Sequence, residues 1–525
     1  MSSGSGSDKA ARLVAAFPVG LAAGIRSEDG ILVFRGLPYA QAPKGKLRWA
    51  APVPIDDWQG VRDAAKPGFA CVQPARRKGS IYDGELPETD EDCLSLDIWA
   101  PENASGLPVF VWIHGGSLIW GAGSEPVYDG AELARRGMVV VCINYRLGVF
   151  GYLAHPELSA ASPDKISGNY GLLDQIEALR WLRRNIEAIG GDPLNVTIAG
   201  ESAGGFSVLL LMAAPPARGL FKRAIAQSAY LSSAPQLRGW AHGEEPAETC
   251  GLRLAEALGV PDLATLRSIG AQDLADGAAE AGFAPTATID GHLLPRQIVE
   301  IFDRGEQAPA SLLIGYTSGE VRSLRFIMPT LPETSSDYEA QIRARYGDLT
   351  DRFLALYPAS LGVEESMLAA VRDGLFGWCA IRLANAQMRT GADAYLYRFD
   401  HGYPAAHTAG LHGFHGAEIP HIFGSLDCTP PLWPDIPVNG EERRFSIAMG
   451  DYWASFAATG QPEAAGHAAW PAYGSNGEYM DFANRPRRMA GGLNEAYTLH
   501  DEVVRRRRTA GDVPWNWNVG VAAPL

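Results

Sequence analysis

The sequence predicts an α/β fold in which a large, mostly parallel central sheet carries helices on its faces. Three observations lead there. The runs Leu94 to Trp99, Val109 to Ile113, Val139 to Ile143 and Val196 to Ala199 read as central strands, the second and third of them apolar throughout, as expected of strands buried on both sides. Glycine loops or amphipathic segments separate them, the alternation that builds a parallel sheet. The last run leads into Gly200-Glu201-Ser202-Ala203-Gly204 and then the helix-like Gly205 to Leu211, so a serine stands on a sharp strand-to-helix turn.

Each element follows from its residues. From Leu13 to Trp49 short apolar runs alternate with glycine turns, and Pro52 and Pro54 stiffen the exit, as expected of an N-terminal antiparallel sheet edge. Leu172 to Ile189 places Leu173, Ile176, Leu179 and Leu182 at helical spacing and feeds the turn Gly190-Gly191-Asp192. Between about 240 and 385 helical patterns such as Ala247 to Leu258 and Asp337 to Tyr357 prevail, predicting helical insertions around the sheet. Leu312 to Ile314 reads as a further strand. Without an internal repeat or a clear linker, residues 13–525 are expected to form one large domain behind a flexible segment, residues 1–12.

Composition bounds the function. Of 525 residues, 46% are hydrophobic and 20% charged, enough apolar surface for a substantial core. A formal net charge of −15 argues against a general nucleic-acid surface. The exception, Arg505 to Arg508, follows Asp501 and Glu502 and reads as a solvated helix face. Six cysteines in so long a chain are no disulfide scaffold. Cys142 sits inside an apolar run and reads as packing, and Cys71 and Cys93 are placed to clip a loop. No apolar run reaches membrane-spanning length, and a cytoplasmic location is expected.

The chemistry is carried by a constellation. Small glycines around Ser202 permit the turn and leave Oγ exposed, the arrangement of a nucleophile elbow. Acyl transfer also needs donors for the developing oxyanion. His114-Gly115-Gly116-Ser117, directly after a predicted strand, offers the backbone N–H groups of Gly116 and Ser117 beside that of Ala203. A base and an orienting acid must complete the set, in the chain order Ser, acid, His. Eleven histidines are present and five crowd together: His401, His407, His412, His415 and His421. Composition does not choose among them, and without matching Asp or Glu spacing they are a weak metal signal. Neither a metal nor a cofactor is expected.

Several landmarks together resemble one family. Phe34-Arg35-Gly36-Leu37-Pro38-Tyr39-Ala40, Glu91-Asp92-Cys93-Leu94, Asn144-Tyr145-Arg146-Leu147-Gly148, Gly190-Gly191-Asp192-Pro193, the serine elbow, Gln227-Ser228, Asp290-Gly291, Glu320 and Phe414-His415-Gly416-Ala417-Glu418 are similar to the type-B carboxylesterase/cholinesterase family, in its bacterial carboxylesterase branch. The likeness spans roughly residues 15–485. It implies an α/β-hydrolase fold in which Ser202 attacks an ester carbonyl, His415 is the base and Glu320 orients it, with His412 the main rival. It also implies a buried acid at Glu201 that organises water, polar support from Ser228, and a disulfide between Cys71 and Cys93 closing a loop beside the pocket.

Three departures from the family pattern bear on specificity: Ser117 after the oxyanion glycines, Phe206, and Val321-Arg322 after the acid. Leu118, Trp120, Phe206 and Tyr230 offer apolar walls for an acyl or aromatic group, a stripe equally at home in a core. Arg322 and Arg325 are expected to face solvent rather than to bind a carboxylate-bearing ester. The leading reading is hydrolysis of a small-molecule carboxylic ester through an acyl-serine, by a monomer or a homodimer that engages neither nucleic acid nor membrane. Amide or carbamate hydrolysis is the related alternative, and a non-catalytic ligand-binding or adhesion protein the distant one.

Overall fold

The computed structural model describes residues 11–516 apart from 77 and 475, so most of the expected flexible N-terminus lies outside the described residues. Thirteen strands among the described residues join one sheet. They are β1 (Ala11–Phe17), β2 (Gly20–Arg26), β3 (Ile31–Pro38), β4 (Val61–Asp63), β5 (Ser95–Pro101), β6 (Leu107–Ile113), β7 (Val139–Ile143), β8 (Gly191–Glu201), β9 (Arg223–Gln227), β10 (Ser311–Thr317), β11 (Ala394–Phe399), β12 (Glu478–Phe482) and β13 (Pro486–Ala490). Their order is β1-β2-β3-β5-β7-β6-β8-β9-β10-β11-β12-β13, with β4 beside β2. Antiparallel pairing runs from β1 to β7 along this path. From β7 to β12 every pairing is parallel, and β13 closes the sheet antiparallel.

This is the predicted α/β-hydrolase architecture, and its unbroken apolar strands have a simple cause. Successive side chains on a strand point to opposite faces. In β6, Val109, Val111 and Ile113 enter one core while Phe110 and Trp112 enter another on the far face. In β7, Val139, Val141 and Ile143 separate in the same way from Val140 and Cys142, which confirms Cys142 as packing. A strand sandwiched between two cores has no polar face to show.

The helix Tyr170–Asn185 and the helix Ala247–Ala257 lie where the periodicity puts them. The first tightens into a 3₁₀ turn at Ile186–Ile189 and ends on left-handed Gly190. The single helix expected from Asp337 to Tyr357 is instead two, Ser335–Tyr346 and Thr350–Leu356, because Gly347 turns the chain at φ 51°. Arg505 to Arg508 lie on the helix Asn494–Ala510. Arg505 and Arg506 form the expected surface ion pairs, to Glu502 and to Glu502 and Asp348. Arg507 departs from that reading: at 2% exposure it faces inward, because a run of four consecutive helical residues must turn one of them toward the core.

Candidate active site

The C-terminal ends of the parallel strands bring the predicted residues together. β8 delivers Ser202, whose backbone is held at φ 57° and ψ −121° before the helix Ala203–Ala213 begins. A non-glycine residue seldom occupies that region, and here the surroundings over-determine it. The Ser202 N–H donates to the Gln227 carbonyl at 2.9 Å, and its carbonyl accepts from Phe206 N at 2.8 Å. Gly204 is needed because a Cβ there would lie 2.0 Å from the Ile113 carbonyl oxygen. The helix that follows is buried on every side, so it fixes the elbow from beneath.

The loop after β6 lies against this turn. A Cβ on Gly115 would stand 3.0 Å from Glu201 Oε2 and 3.3 Å from Ser202 Cβ. Gly116, Ser117 and Leu118 follow at φ 100°, 59° and 60°. Among the described residues, Gly116 and Ser117 give their N–H groups to no backbone acceptor, while the Gly116 carbonyl accepts from Ile119 and Trp120. His114 braces the loop by stacking on Tyr145 at 4.6 Å, and the Tyr145 hydroxyl donates to the His114 carbonyl at 2.8 Å. Burial lowers His114 to a pKa of about 4, so it is a neutral packing element. Gln73 closes the far end, accepting from Gly121 N–H at 2.9 Å.

Glu320 and His415 come from loops after β10 and β11, joined where Gly319 N–H donates to the Gly413 carbonyl at 2.7 Å. His415 Nδ1 hydrogen-bonds Glu320 Oε2, and Glu320 Oε1 accepts from Thr317 N–H at 2.8 Å. With Nδ1–H given to a carboxylate, the lone pair of the neutral imidazole is on Nε2. That nitrogen lies 3.1 Å from Glu201 Oε1, a charge contact outside hydrogen-bonding alignment. Burial pulls the imidazolium down, but the carboxylates of Glu201 and Glu320 outweigh it and raise His415 to about 9. Burial raises Glu201 as well, against the pull of His415. The two titrations are linked: a proton on Glu201 removes a main attraction for one on His415.

The remaining candidates sort out by contact. Phe206 stacks on Tyr230 at 5.2 Å, Tyr230 meets Phe376 edge-on at 6.4 Å, and Phe376 lies 5.5 Å from the His415 ring. These rings make an apolar wall ending at the base. Leu118 is buried, and Trp120 is anchored by its Nε1–H to the Pro74 carbonyl at 2.9 Å. Ser228 is buried with φ 44°; its N–H donates to the Gly315 carbonyl at 2.8 Å and its hydroxyl has no partner. Arg322 pairs with Glu365 and Arg325 with Glu364, so neither cation is free to recognise a substrate carboxylate. A cavity of about 40 Å³ that Arg322 and Glu365 line lies behind Glu320 and does not include Ser202. His412 faces His407, Nδ1 to Nδ1 at 2.9 Å, rather than a carboxylate.

The two cysteines that the resemblance pairs lie together. Cys71 and Cys93 are buried and in hydrogen-bond contact, and Cys71 Sγ also accepts from Leu147 N–H at 3.2 Å. Sequence reasoning also passed over residues the fold recruits. Phe376 lies in a π-helical turn, Asp373–Gly377, a feature common at functional sites but silent in sequence. Tyr82 donates to the His415 carbonyl at 2.8 Å across 333 residues. Glu418, three residues after His415, is fully buried, and burial raises its pKa.

A family model described as the carboxylesterase family matches residues 18–498. The chain belongs to the carboxylesterase family. It is 36% identical over 463 residues to the para-nitrobenzyl esterase of Bacillus subtilis (strain 168), covering 85% of this chain and 90% of that protein. The fumonisin B1 esterase of Sphingopyxis macrogoltabida is 34% identical over 470 residues, 87% of this chain and 84% of that one. Among solved structures, a PNB esterase superposes with a TM-score of 0.80 at 33% identity, covering 93% of this chain and 99% of the other. A Geobacillus stearothermophilus carboxylesterase gives 0.79 at 33%, with coverage of 93% and 99%. The protein is a carboxylesterase, acting on small-molecule esters by the serine mechanism general to its family. No helix among the described residues is long and apolar enough to cross a membrane.

Proposed function

We propose that Ser202, His415 and Glu320 are the catalytic triad of this carboxylesterase and that Gly116, Ser117 and Ala203 supply its oxyanion donors. The observation that carries the assignment is the hydrogen bond between His415 Nδ1 and Glu320 Oε2, which leaves Nε2 as the acceptor beside the Glu201-Ser202 turn. The Ser202 hydroxyl gives its proton to Nε2 as Oγ attacks the ester carbonyl. The oxygen takes the charge and meets the three backbone N–H groups. Collapse of the tetrahedral intermediate breaks the C–O bond, and His415 returns the proton to the departing alcohol. Water then attacks the acyl-serine by the same route in reverse.

Glu201 acts through His415, tuning its affinity for a proton, and Ser228 supports the same corner of the site. Phe206, Tyr230, Leu118 and Trp120 bound the acyl or aromatic part of the substrate, with Phe376 joining them. Support for reading residues 13–525 as one catalytic unit comes from a single sheet in which the segments following β8, β10 and β11 carry Ser202, Glu320 and His415.

The test is release of p-nitrophenol from short acyl esters by the wild type and by Ser202→Ala at equal folded concentration. Loss of roughly 10⁴-fold or more in kcat is expected in the variant. Equal turnover in both refutes the assignment.

A further inference from the structure

The five crowded histidines separate into three groups in the fold. His415 lies in the candidate active site, His407 of the short helix Pro404–Thr408 pairs with His412 near the surface, and His401 and His421 meet Glu442 on the other side of the sheet. Their neighbours Phe399 and Phe445 belong to the core opposite the one that holds Phe206 and Phe376. We propose that His401, His421 and Glu442 form a binding site for a zinc-class divalent cation, separate from ester hydrolysis, although the sequence alone predicts no metal.

Each ligand is placed by a different element. His401 follows β11, His421 lies in the short helix Ile419–Phe423, and Glu442 lies in the first turn of the helix Gly440–Thr459. A glutamate in a first helical turn ordinarily faces water. Here Asn439 caps the turn, its Oδ1 accepting from Glu442 N–H at 2.8 Å, and the carboxylate points inward at 5% exposure. The same helix holds the histidine backbone, because Ser446 Oγ donates to the His421 carbonyl at 2.8 Å.

The three ligand atoms lie within 4.8 Å of one another. His401 Nε2 is 2.7 Å and His421 Nε2 3.4 Å from Glu442 Oε1. A tetrahedral zinc about 2.0–2.2 Å from each ligand sets its ligands about 3.3 Å apart; the His421–Glu442 separation matches this, while His401 Nε2 hydrogen-bonds Glu442 Oε1 and must draw back by about 0.6 Å to admit the cation. His421 supplies the second observation. It is completely buried, and neither ring nitrogen has a hydrogen-bond partner among the described residues. A buried imidazole without partners is costly, and a cation between it and Glu442 removes that cost. Two imidazoles and one carboxylate suit zinc or a similar borderline cation, with water as the remaining ligand. Aromatic walls, with Phe445 tilted over His401 at 4.2 Å and Phe399 5.8 Å from His421, keep the pocket apolar. Such a cation ties the segment after His415 to the start of the helix Gly440–Thr459, which makes its role structural.

The experiment is equilibrium dialysis of chelator-treated full-length protein against zinc, with bound metal counted by elemental analysis, and a parallel titration with cobalt(II) followed by d–d absorption. One zinc per chain, a four-coordinate cobalt spectrum, and loss of both in His421→Gln and in Glu442→Gln are expected. The double variant His407→Ala/His412→Ala should retain both. His401→Gln, at the rim of the cluster, is the second ligand test should the buried variants fail to fold. At a hundredfold excess over Kd, zinc should raise the wild-type melting midpoint by about 2 °C and leave the ligand variants unmoved. Zinc that remains in the ligand variants, disappears with the surface pair, or fails to bind the wild type overturns the proposal.

Discussion

Glu201→Gln should shift the acidic limb of the pH profile downward, because the Glu201 carboxylate helps hold the proton on His415. Its Oε1 lies 3.1 Å from His415 Nε2. Charge centres about 4 Å apart attract by about 4 kcal/mol at an effective dielectric constant of 20. At 1.36 kcal/mol per unit, that is an upper limit of about 3 pKa units. Burial raises Glu201 itself to about 7, so it is only partly ionised near neutrality, and Glu320 stays in place. A fall of about 1–2 units is therefore expected. The sign follows from the mechanism: the neutral imidazole is the base, so lowering the His415 pKa extends activity to more acid conditions. The assay is kcat/KM for a p-nitrophenyl ester from pH 5 to 10 at constant ionic strength, which reports the free enzyme. Glu201→Ala should move the limb in the same direction. A limb that stays put or rises in both variants refutes the coupling.

Three further outcomes follow from the geometry. Glu320→Gln keeps the shape of the acid but cannot hold the Nδ1–H tautomer, and kcat should fall by roughly 10³–10⁴ with the fold intact by circular dichroism. Asp174→Asn leaves the buried Arg146 guanidinium without its bidentate partner, both bonds being 2.7 Å, and should cost about 3–5 kcal/mol in denaturant unfolding. Gly204→Ala puts a methyl group 2.0 Å from the Ile113 carbonyl, so thermal melting should show a destabilised protein and esterase assays a displaced, nearly inactive elbow.

What was legible in the sequence was local or was written as an unbroken pattern. The strands Val109 to Ile113 and Val139 to Ile143 announced themselves because burial on both faces leaves no polar positions. Ser202 and the Gly115-Gly116 loop could be read because turns demanding left-handed backbone select small residues at fixed offsets. His415 and Glu320 are different. Ninety-five residues separate them, and no local pattern joined them; resemblance supplied the pair, and the parallel order β8-β9-β10-β11 then brought the loops together.

The sequence by itself determined the fold class, the sharp turn at Ser202 and the glycine loop after Ile113, since each depends on backbone geometry that a few neighbouring residues dictate. Only the tertiary structure decided that Phe376 extends the wall of Phe206 and Tyr230, that Cys71 and Cys93 lie in contact, and that Arg507 faces inward. It alone sorted five histidines into a partner for Glu320, a surface pair and a cluster with Glu442. The reason is physical: a side chain's partner depends on which segments the sheet and its crossovers bring into contact, and that adjacency leaves no periodicity along the chain.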